Sequence, residues 1–482
     1  MLAALYAEQL ASLCLKLQEI NSAREHLLAQ LADLEKASRT MQHEYNTIFN
    51  NASAIATLPN EIISSIFEEE PGLELLVSQV THRWRDVAIS TPKLWSDINI
   101  NLSKDKAVHI SALYLTRSKG LPFDLSIVHA IGGINKSVAL SVGQMLVDHI
   151  AHCRRIKIKY ASRNTINCNI LLDFLIPVSA QRLESFDVTF AHHPREGSFQ
   201  LADMFKGGAP VLAVVRLSKM PFCLPPLGSV TTLRLVELHP DSHIMGDRWR
   251  DVLVSLTRLI SLEVEGDIMT SWITGSAITL PALRTLRIGA TGDQEVAGQF
   301  RRLYEAIDAP SLEFLSLRDF FDLDLAFLDD LWPLGPNKFP VLHTLTLVEY
   351  EGTSSQTNFA PLLRAFPLVQ TVAFSEASAS NFSILRLLLK TDMGGLYWPG
   401  LRNLAFSNLQ SFDEDGKHDL VNQCLTSRIS MGHPIGTLAF KGSLMSRLKL
   451  QGTLSENGVC LSAPPWMDLV QVAEYHEEDI GA

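Results

Sequence analysis

Between Cys153 and Phe440 one short pattern keeps returning: an apolar residue, with further apolar residues three and five positions later. It occurs at Cys153 (Ile156, Ile158), Leu183 (Phe186, Val188), Leu212 (Val215, Leu217), Val230 (Leu233, Leu235), Leu259 (Leu262, Val264) and Leu283 (Leu286, Ile288). It continues at Leu312 (Leu315, Leu317), Leu342 (Leu345, Leu347), Val369 (Val372, Phe374), Leu401 (Leu404, Phe406) and Ile435 (Leu438, Phe440). Within each occurrence the alternation has the two-residue period of a strand with one buried face. Successive anchors lie about 28 residues apart on average, which leaves room for a return segment between strands. Strands joined by such returns are parallel, with right-handed crossovers. The pattern therefore predicts an α/β protein built on a parallel sheet.

A second regularity reinforces the first. Pro210, Pro281, Pro310, Pro340, Pro367 and Pro399 each precede an anchor by two residues. Proline cannot donate to a ladder, so an extended lead-in to each strand is expected there. Helical segments are expected at Trp249–Leu259, Gln299–Ile307, Leu325–Leu331, Phe382–Leu389 and Leu420–Arg428. The short interval holding Pro221, Pro225 and Pro226 is expected to be a loop. The spacing lies in the range of leucine-rich repeats, and residues 97–450 are read as an irregular solenoid of that kind. Alternation around Ile98, Ile100, Leu125 and Ile127 suggests that its first strands begin there.

In each strand the residue at +4 should point away from the core, onto the open, concave face of the sheet. Across the repeats these are Lys157, Asp187, Arg216, Arg234, Glu263, Arg287, Ser316, Thr346, Ala373, Ala405 and Ala439. The row is charged first and then small and neutral. Arg216, Arg234, Glu263 and Arg287 are the candidate contacts for a protein substrate.

Residues 1–50 contain neither Pro nor Gly. Leu10, Leu13, Leu17, Ile20, Leu27, Leu31, Leu34, Met41, Tyr45 and Ile48 hold alternating spacings of three and four, interrupted at Arg24 and Ser38. This is the seam of a coiled-coil-like helix. Two arrangements are open: a homodimer through residues 10–48, or an amphipathic helix folded back on its own protein.

Residues 55–96 make a third region. Pro59 suits a first helical position, Ile62, Ile63, Ile66 and Phe67 form an apolar face, and Pro71-Gly72 marks a turn. A further helix is expected from Leu75 to Ala88, stopped at Thr91-Pro92. So few short helices cannot cover their own apolar faces, and helix-in-groove binding to a partner would do so. The strings LPNEIISSIF and LLVSQVTHRWRDVAISTPKLW resemble the F-box of mushroom-forming (basidiomycete) fungi, departing from it at Thr81-His82 and in a short loop over Glu68–Leu73. The resemblance implies docking to a Skp-type adaptor and, through it, to a cullin. Carried over by position, Leu58, Pro59, Ile62, Ile63, Ile66, Val80 and Trp84 supply that interface or its support.

The remaining composition narrows the function by exclusion. The net charge is −11, and no Lys/Arg cluster of useful length appears, so nucleic acid is not an expected partner. The densest basic run, Arg154, Arg155, Lys157 and Lys159, reads as the solvent face of a strand. Six cysteines without a C-x-x-C pair suit a reducing compartment, cytoplasmic or nuclear. No long apolar run predicts a membrane span, and the N-terminus, with Glu8 and no basic start, does not read as a signal peptide. Phosphate loops, nucleophile elbows and zinc helices are missing from the sequence. His149 and His152 lack further ligands, His192-His193 reads as a loop, and Asp413–Gly416 reads as an acidic turn. No metal, cofactor or catalytic site is expected. Residues 451–482 read as a C-terminal tail that ends acidic, either solvated or laid as a lid across the basic half of the concave face. The sequence thus points to a non-enzymatic substrate receptor of an SCF-type (Skp–cullin–F-box) ubiquitin ligase. A protein-interaction scaffold outside any ligase is the alternative.

Overall fold

The computed structural model describes residues 2–52, 54–70, 72–104, 106–129, 136–161, 169–192, 203–220, 224–238, 245–266, 277–289, 299–319, 327–329, 338–348, 359–375, 382–389, 391–392, 395–407, 417–441 and 460–461. Most of Leu325–Leu331, His193, the acidic turn at Asp413–Gly416 and all but the start of the C-terminal tail lie outside the described residues. The chain forms two compact units, Met1–Trp95 and Ser96–Ala482.

The first unit opens with α1, Leu2–Asn51, an unbroken 50-residue helix. With no proline to remove a donor and no glycine to add entropy, nothing in its sequence interrupts the hydrogen-bond ladder. Every side chain from Gln9 to Asn50 is exposed. Three short helices follow: α2, Asn60–Glu68; α3, Glu74–Val80; and α4, His82–Ser90. The expected single helix over Leu75–Ala88 is in fact two. Thr81 breaks it with an extended backbone, φ −139° and ψ 164°, and its hydroxyl accepts the backbone N–H of Trp84 at 3.1 Å. An N-cap residue satisfies an otherwise orphaned donor, so a helix starts afresh there. Ile63, Phe67, Val77, Val87, Ala88 and Trp95 are buried.

The second unit is organised by a parallel sheet whose strand order is the order of the sequence. Its strands are β1 (Asp97–Asn101), β2 (Phe123–His129), β3 (Cys153–Tyr160), β4 (Ser185–Phe190), β5 (Val214–Ser218), β6 (Thr232–Val236) and β7 (Ser261–Glu265). They continue as β8 (Thr285–Gly289), β9 (Phe314–Arg318), β10 (Thr344–Val348), β11 (Thr371–Ser375), β12 (Asn403–Ser407), β13 (Thr437–Lys441) and a two-residue β14 (Cys460–Leu461). Helices Met245–Ser255, Gln299–Ala306, Phe382–Leu388 and Lys417–Ser430 stand in the expected intervals. No helix lies between β5 and β6 among the described residues.

The +3 and +5 residues are buried in strand after strand, as at Leu233/Leu235, Leu286/Ile288 and Leu345/Leu347. Each such side chain contributes roughly 1.5–3 kcal/mol. Aromatic pairs stack between adjacent strands: Tyr160 with Phe190 at 4.5 Å between ring centroids, and Phe374 with Phe406 at 5.2 Å.

The prolines act differently from the expected extended lead-in. In each case the anchor's N–H donates to the carbonyl three residues earlier: Leu212 to Ala209 and Leu283 to Leu280 at 3.2 Å, Leu312 to Ala309 at 3.1 Å, Leu401 to Trp398 at 3.0 Å. Proline is the second residue of a β-turn, where its fixed φ is already correct. The chain also leaves several strands through a left-handed residue seven after the anchor: Lys219 (φ 52°), Glu237 (43°), Gly266 (89°) and Asp319 (53°). At Gly266 a Cβ would stand 2.9 Å from the Glu237 backbone, so only glycine fits without a shift.

Candidate protein-interaction surfaces

Because the strands pair in register, the +4 residues form one continuous row across the sheet. Lys157 pairs with Asp187, Asp187 with Arg216, Arg216 with Arg234, Arg234 with Glu263 and Glu263 with Arg287. The same row continues through Ser316, Thr346, Ala373, Ala405 and Ala439. The four candidate substrate contacts are therefore on neighbouring strands, about 5 Å apart step by step.

Their environments differ. Arg216 is exposed, while Arg234, Glu263 and Arg287 are half-buried. Arg234 Nε lies 3.2 Å from Glu263 Oε1. Arg287 sets its guanidinium over the Phe314 ring, 5.4 Å from the centroid. A second ion pair joins Arg318 to Glu265 at 3.6 Å and spans an intervening strand. Gly289 sits in register between the two, and a Cβ there would stand 2.8 Å from Glu265 Cγ. The glycine leaves the space that the Glu265 side chain crosses.

Burial lowers the Arg234 pKa, with Glu263 and Glu265 opposing. Burial also raises the Asp187 carboxyl, against Arg216 and Lys157, and the Glu265 carboxyl, against Arg318 and Arg234. Positive groups outnumber carboxylates on this part of the face. The row thus presents guanidinium groups within a chain that is acidic as a whole.

The neutral half of the row does not stand open as expected. Ser316, Thr346, Ala373, Ala405 and Ala439 are all buried, at 5% exposure or less. Larger neighbours on the same face, Phe314, Val348 and Thr371, are buried as well, so this part of the face is covered. The accessible part of the row is its charged part.

The basic run on β3 is not simply a solvent face. Lys157 and Lys159 are half-exposed, whereas Arg154 donates to both carboxylate oxygens of Asp124, at 2.9 and 2.7 Å, and that bond raises its pKa.

The other candidate surface is in the first unit. Ile62 (48%), Ile66 (53%) and Val80 (52%) are exposed, as is Pro59, and Leu58 is half-buried. Ile63 is buried in the unit's own core. Trp84 is half-buried and packs edge-on against Phe67, 5.1 Å between centroids. Two leucines of α3 that the resemblance does not single out, Leu75 and Leu76, are exposed as well.

Sequence reasoning missed two arginines that build these regions. Arg83 donates to the carbonyls of Ala56 and Leu58 and to Asn60 Oδ1, the last at 2.8 Å, and so ties α4 to the chain entering α2. Arg428 is fully buried and donates to the carbonyls of Trp398 (2.8 Å), Tyr397 (3.2 Å) and His433 (3.2 Å). Only its place in the last turn of a helix hinted at such a role.

No group of three or more metal-ligating side chains occurs among the described residues. No described helix is long and apolar enough to cross a membrane. No family model matches the chain, and no curated protein matches it in sequence.

Proposed function

We propose that the protein is a substrate-recognition subunit of an SCF-type ubiquitin ligase, with residues 58–95 as an F-box that docks a Skp-type adaptor. On this reading the adaptor bridges to a cullin. Residues 97–450 are an irregular leucine-rich-repeat-like solenoid that holds a protein substrate. The observation that carries the reading is the division of labour inside the F-box-like strings. Ile63, Phe67, Val77, Val87 and Ala88 face inward, and Pro59, Ile62, Ile66 and Val80 are left exposed at the positions the resemblance assigns to a partner. Burying Ile62 and Ile66 in a groove would contribute roughly 1.5–3 kcal/mol each. Thr81, a departure from the family pattern, supports the reading by capping the helix that carries Trp84.

The substrate arm rests on the charged part of the sheet row. Arg216 and Arg287, flanking the Arg234–Glu263 pair, fit an acidic segment of a protein. The chain's role is positional, without catalysis or cofactor: it raises the effective concentration of the substrate at the conjugating machinery. A cytoplasmic or nuclear site of action belongs to the same proposal.

The deciding experiment is a pull-down of the full-length chain with a Skp-type adaptor, beside a Leu58→Ala/Ile62→Ala variant. Binding by the wild type and its loss in the variant is the expected result. Failure of the folded wild type to bind transfers the reading to a scaffold outside any ligase.

A further inference from the structure

We infer that residues 10–48 of α1 pair with the same residues of a second copy of the chain as an antiparallel coiled coil. This does not rest on the ligase reading.

The starting observation is an apolar seam with nothing over it. Leu10, Leu13, Leu17, Ile20, Leu27, Leu31, Leu34, Met41, Tyr45 and Ile48 are all between 53% and 72% exposed. Their strict three–four alternation assigns Leu10, Leu17, Arg24, Leu31, Ser38 and Tyr45 to heptad position a. Leu13, Ile20, Leu27, Leu34, Met41 and Ile48 take position d. A seam of 3.5-residue period suits another helix of the same period, and an identical helix supplies one along the whole length.

Four residues outside the apolar a and d positions choose the direction: Arg24, Leu28, Lys16 and Glu44. A parallel, in-register pair would set Arg24 directly against Arg24 of the second copy, two like charges inside the seam. The antiparallel pair that overlaps all twelve core positions sets Leu10 against Ile48, Leu17 against Met41 and Arg24 against Leu34. The long arginine stem can then lie on apolar surface while its charge reaches the edge. Leu28 is an exposed apolar residue at flanking position e. In the antiparallel pair it falls at the centre, where it meets Leu28 of the second copy. In the parallel pair it would meet Ala23. Lys16 and Glu44, both at flanking position g, face each other twice when the helices run in opposite directions. In the parallel pair neither meets an opposite charge, since Lys16 faces Asn21 and Glu44 faces Phe49. Flanking charges of this kind set helix orientation.

The test uses the full-length chain. Light scattering at micromolar concentration should give the mass of a dimer; a monomer overturns the inference, whether the seam stays open or folds back. Cys14 is exposed and sits at position e. A Gln42→Cys variant places a second thiol beside Cys14 of the opposite copy only if the helices are antiparallel. In a parallel pair those positions are about 42 Å apart, at 1.5 Å per residue. Treatment with a short bis-maleimide, using mixed isotope-labelled chains and mass spectrometry of the linked peptides, should give inter-chain links between positions 14 and 42. Links of 14 to 14 or 42 to 42 overturn the inference. Leu28→Lys should raise the dimer dissociation constant at least about tenfold, by placing two charges at the centre of the seam. Leu15→Lys, at another exposed position but away from the seam, should leave it unchanged while helicity stays constant in both. Equal effects of the two substitutions would overturn it.

Discussion

Ile66 and Leu345 are similar side chains with opposite fates. Ile66, in the unit that ends at Trp95, is 53% exposed, whereas Leu345, on β10, is fully buried. The contrast extends to their surroundings. Most exposed large apolar side chains among the described residues lie between Leu10 and Val80, while the buried ones concentrate beyond Ile98. The first unit has helices too few and too short to cover one another, plus one helix too long to be covered by them. The second gives every strand of its large sheet two neighbours, except the two at the edges. One region leaves apolar side chains open, and the other covers its own.

The sharpest way to break that contrast is to make the same truncation in both. Leu345→Ala should cost about 2–5 kcal/mol, read as a fall in the denaturant midpoint of the sheet unit. Ile66→Ala should leave the unfolding of its own unit within about 0.5 kcal/mol while weakening partner capture. Equal losses of stability would mean that the exposed isoleucine is structural after all.

A second, smaller test concerns the sheet row. Ala405→Leu adds volume at a buried site and should cost about 1–3 kcal/mol by thermal or denaturant unfolding. Arg216→Leu, at an exposed position in the charged part of the same row, should be nearly silent in stability and visible only in substrate binding. Next comes the break between α3 and α4. Thr81→Ala removes the cap and should destabilise the first unit by about 0.5–2 kcal/mol, with Thr81→Ser restoring most of it. The helix content of that unit reports the outcome.

The smallest effect is one of pH. Asp187 and Glu265 hold their protons more tightly in the fold than in the unfolded chain, because burial outweighs their arginine neighbours. Such groups add stability at low pH and withdraw it as pH rises from about 4 through their raised values. Wild-type stability minus that of an Asp187→Asn/Glu265→Gln variant should therefore decline over that interval. A difference that rises with pH would show that the ion pairs dominate instead.

The buried side of the sheet was legible because alternation has a fixed period. Once Leu283 was an anchor, Leu286 and Ile288 had to face inward and Arg287 outward. What was not legible depended on size and on local donors. Outward pointing did not guarantee exposure for Ala405, because the larger residues on that part of the face are covered as well. The apolar spacing from Leu75 to Ala88 ran straight across Thr81, since periodicity does not see a hydroxyl that caps. The prolines were located correctly and assigned the wrong geometry, because a strand and a turn both accept their φ. Arg83 and Arg428 act on backbone carbonyls far away in sequence, and no local pattern encodes such a bond. The candidate surfaces were named from position alone, and it took burial to separate Ile62 from Ile63.

Strand order identical to chain order also shapes how the protein is made. A strand leaving the ribosome finds its partner already synthesised, one step upstream, and needs nothing that is still to come. Each addition closes a loop of roughly 28 residues rather than hundreds, so the entropy lost at each step stays small. The sheet can grow at the pace of translation, from Asp97 toward Lys441, one strand at a time onto its newest edge.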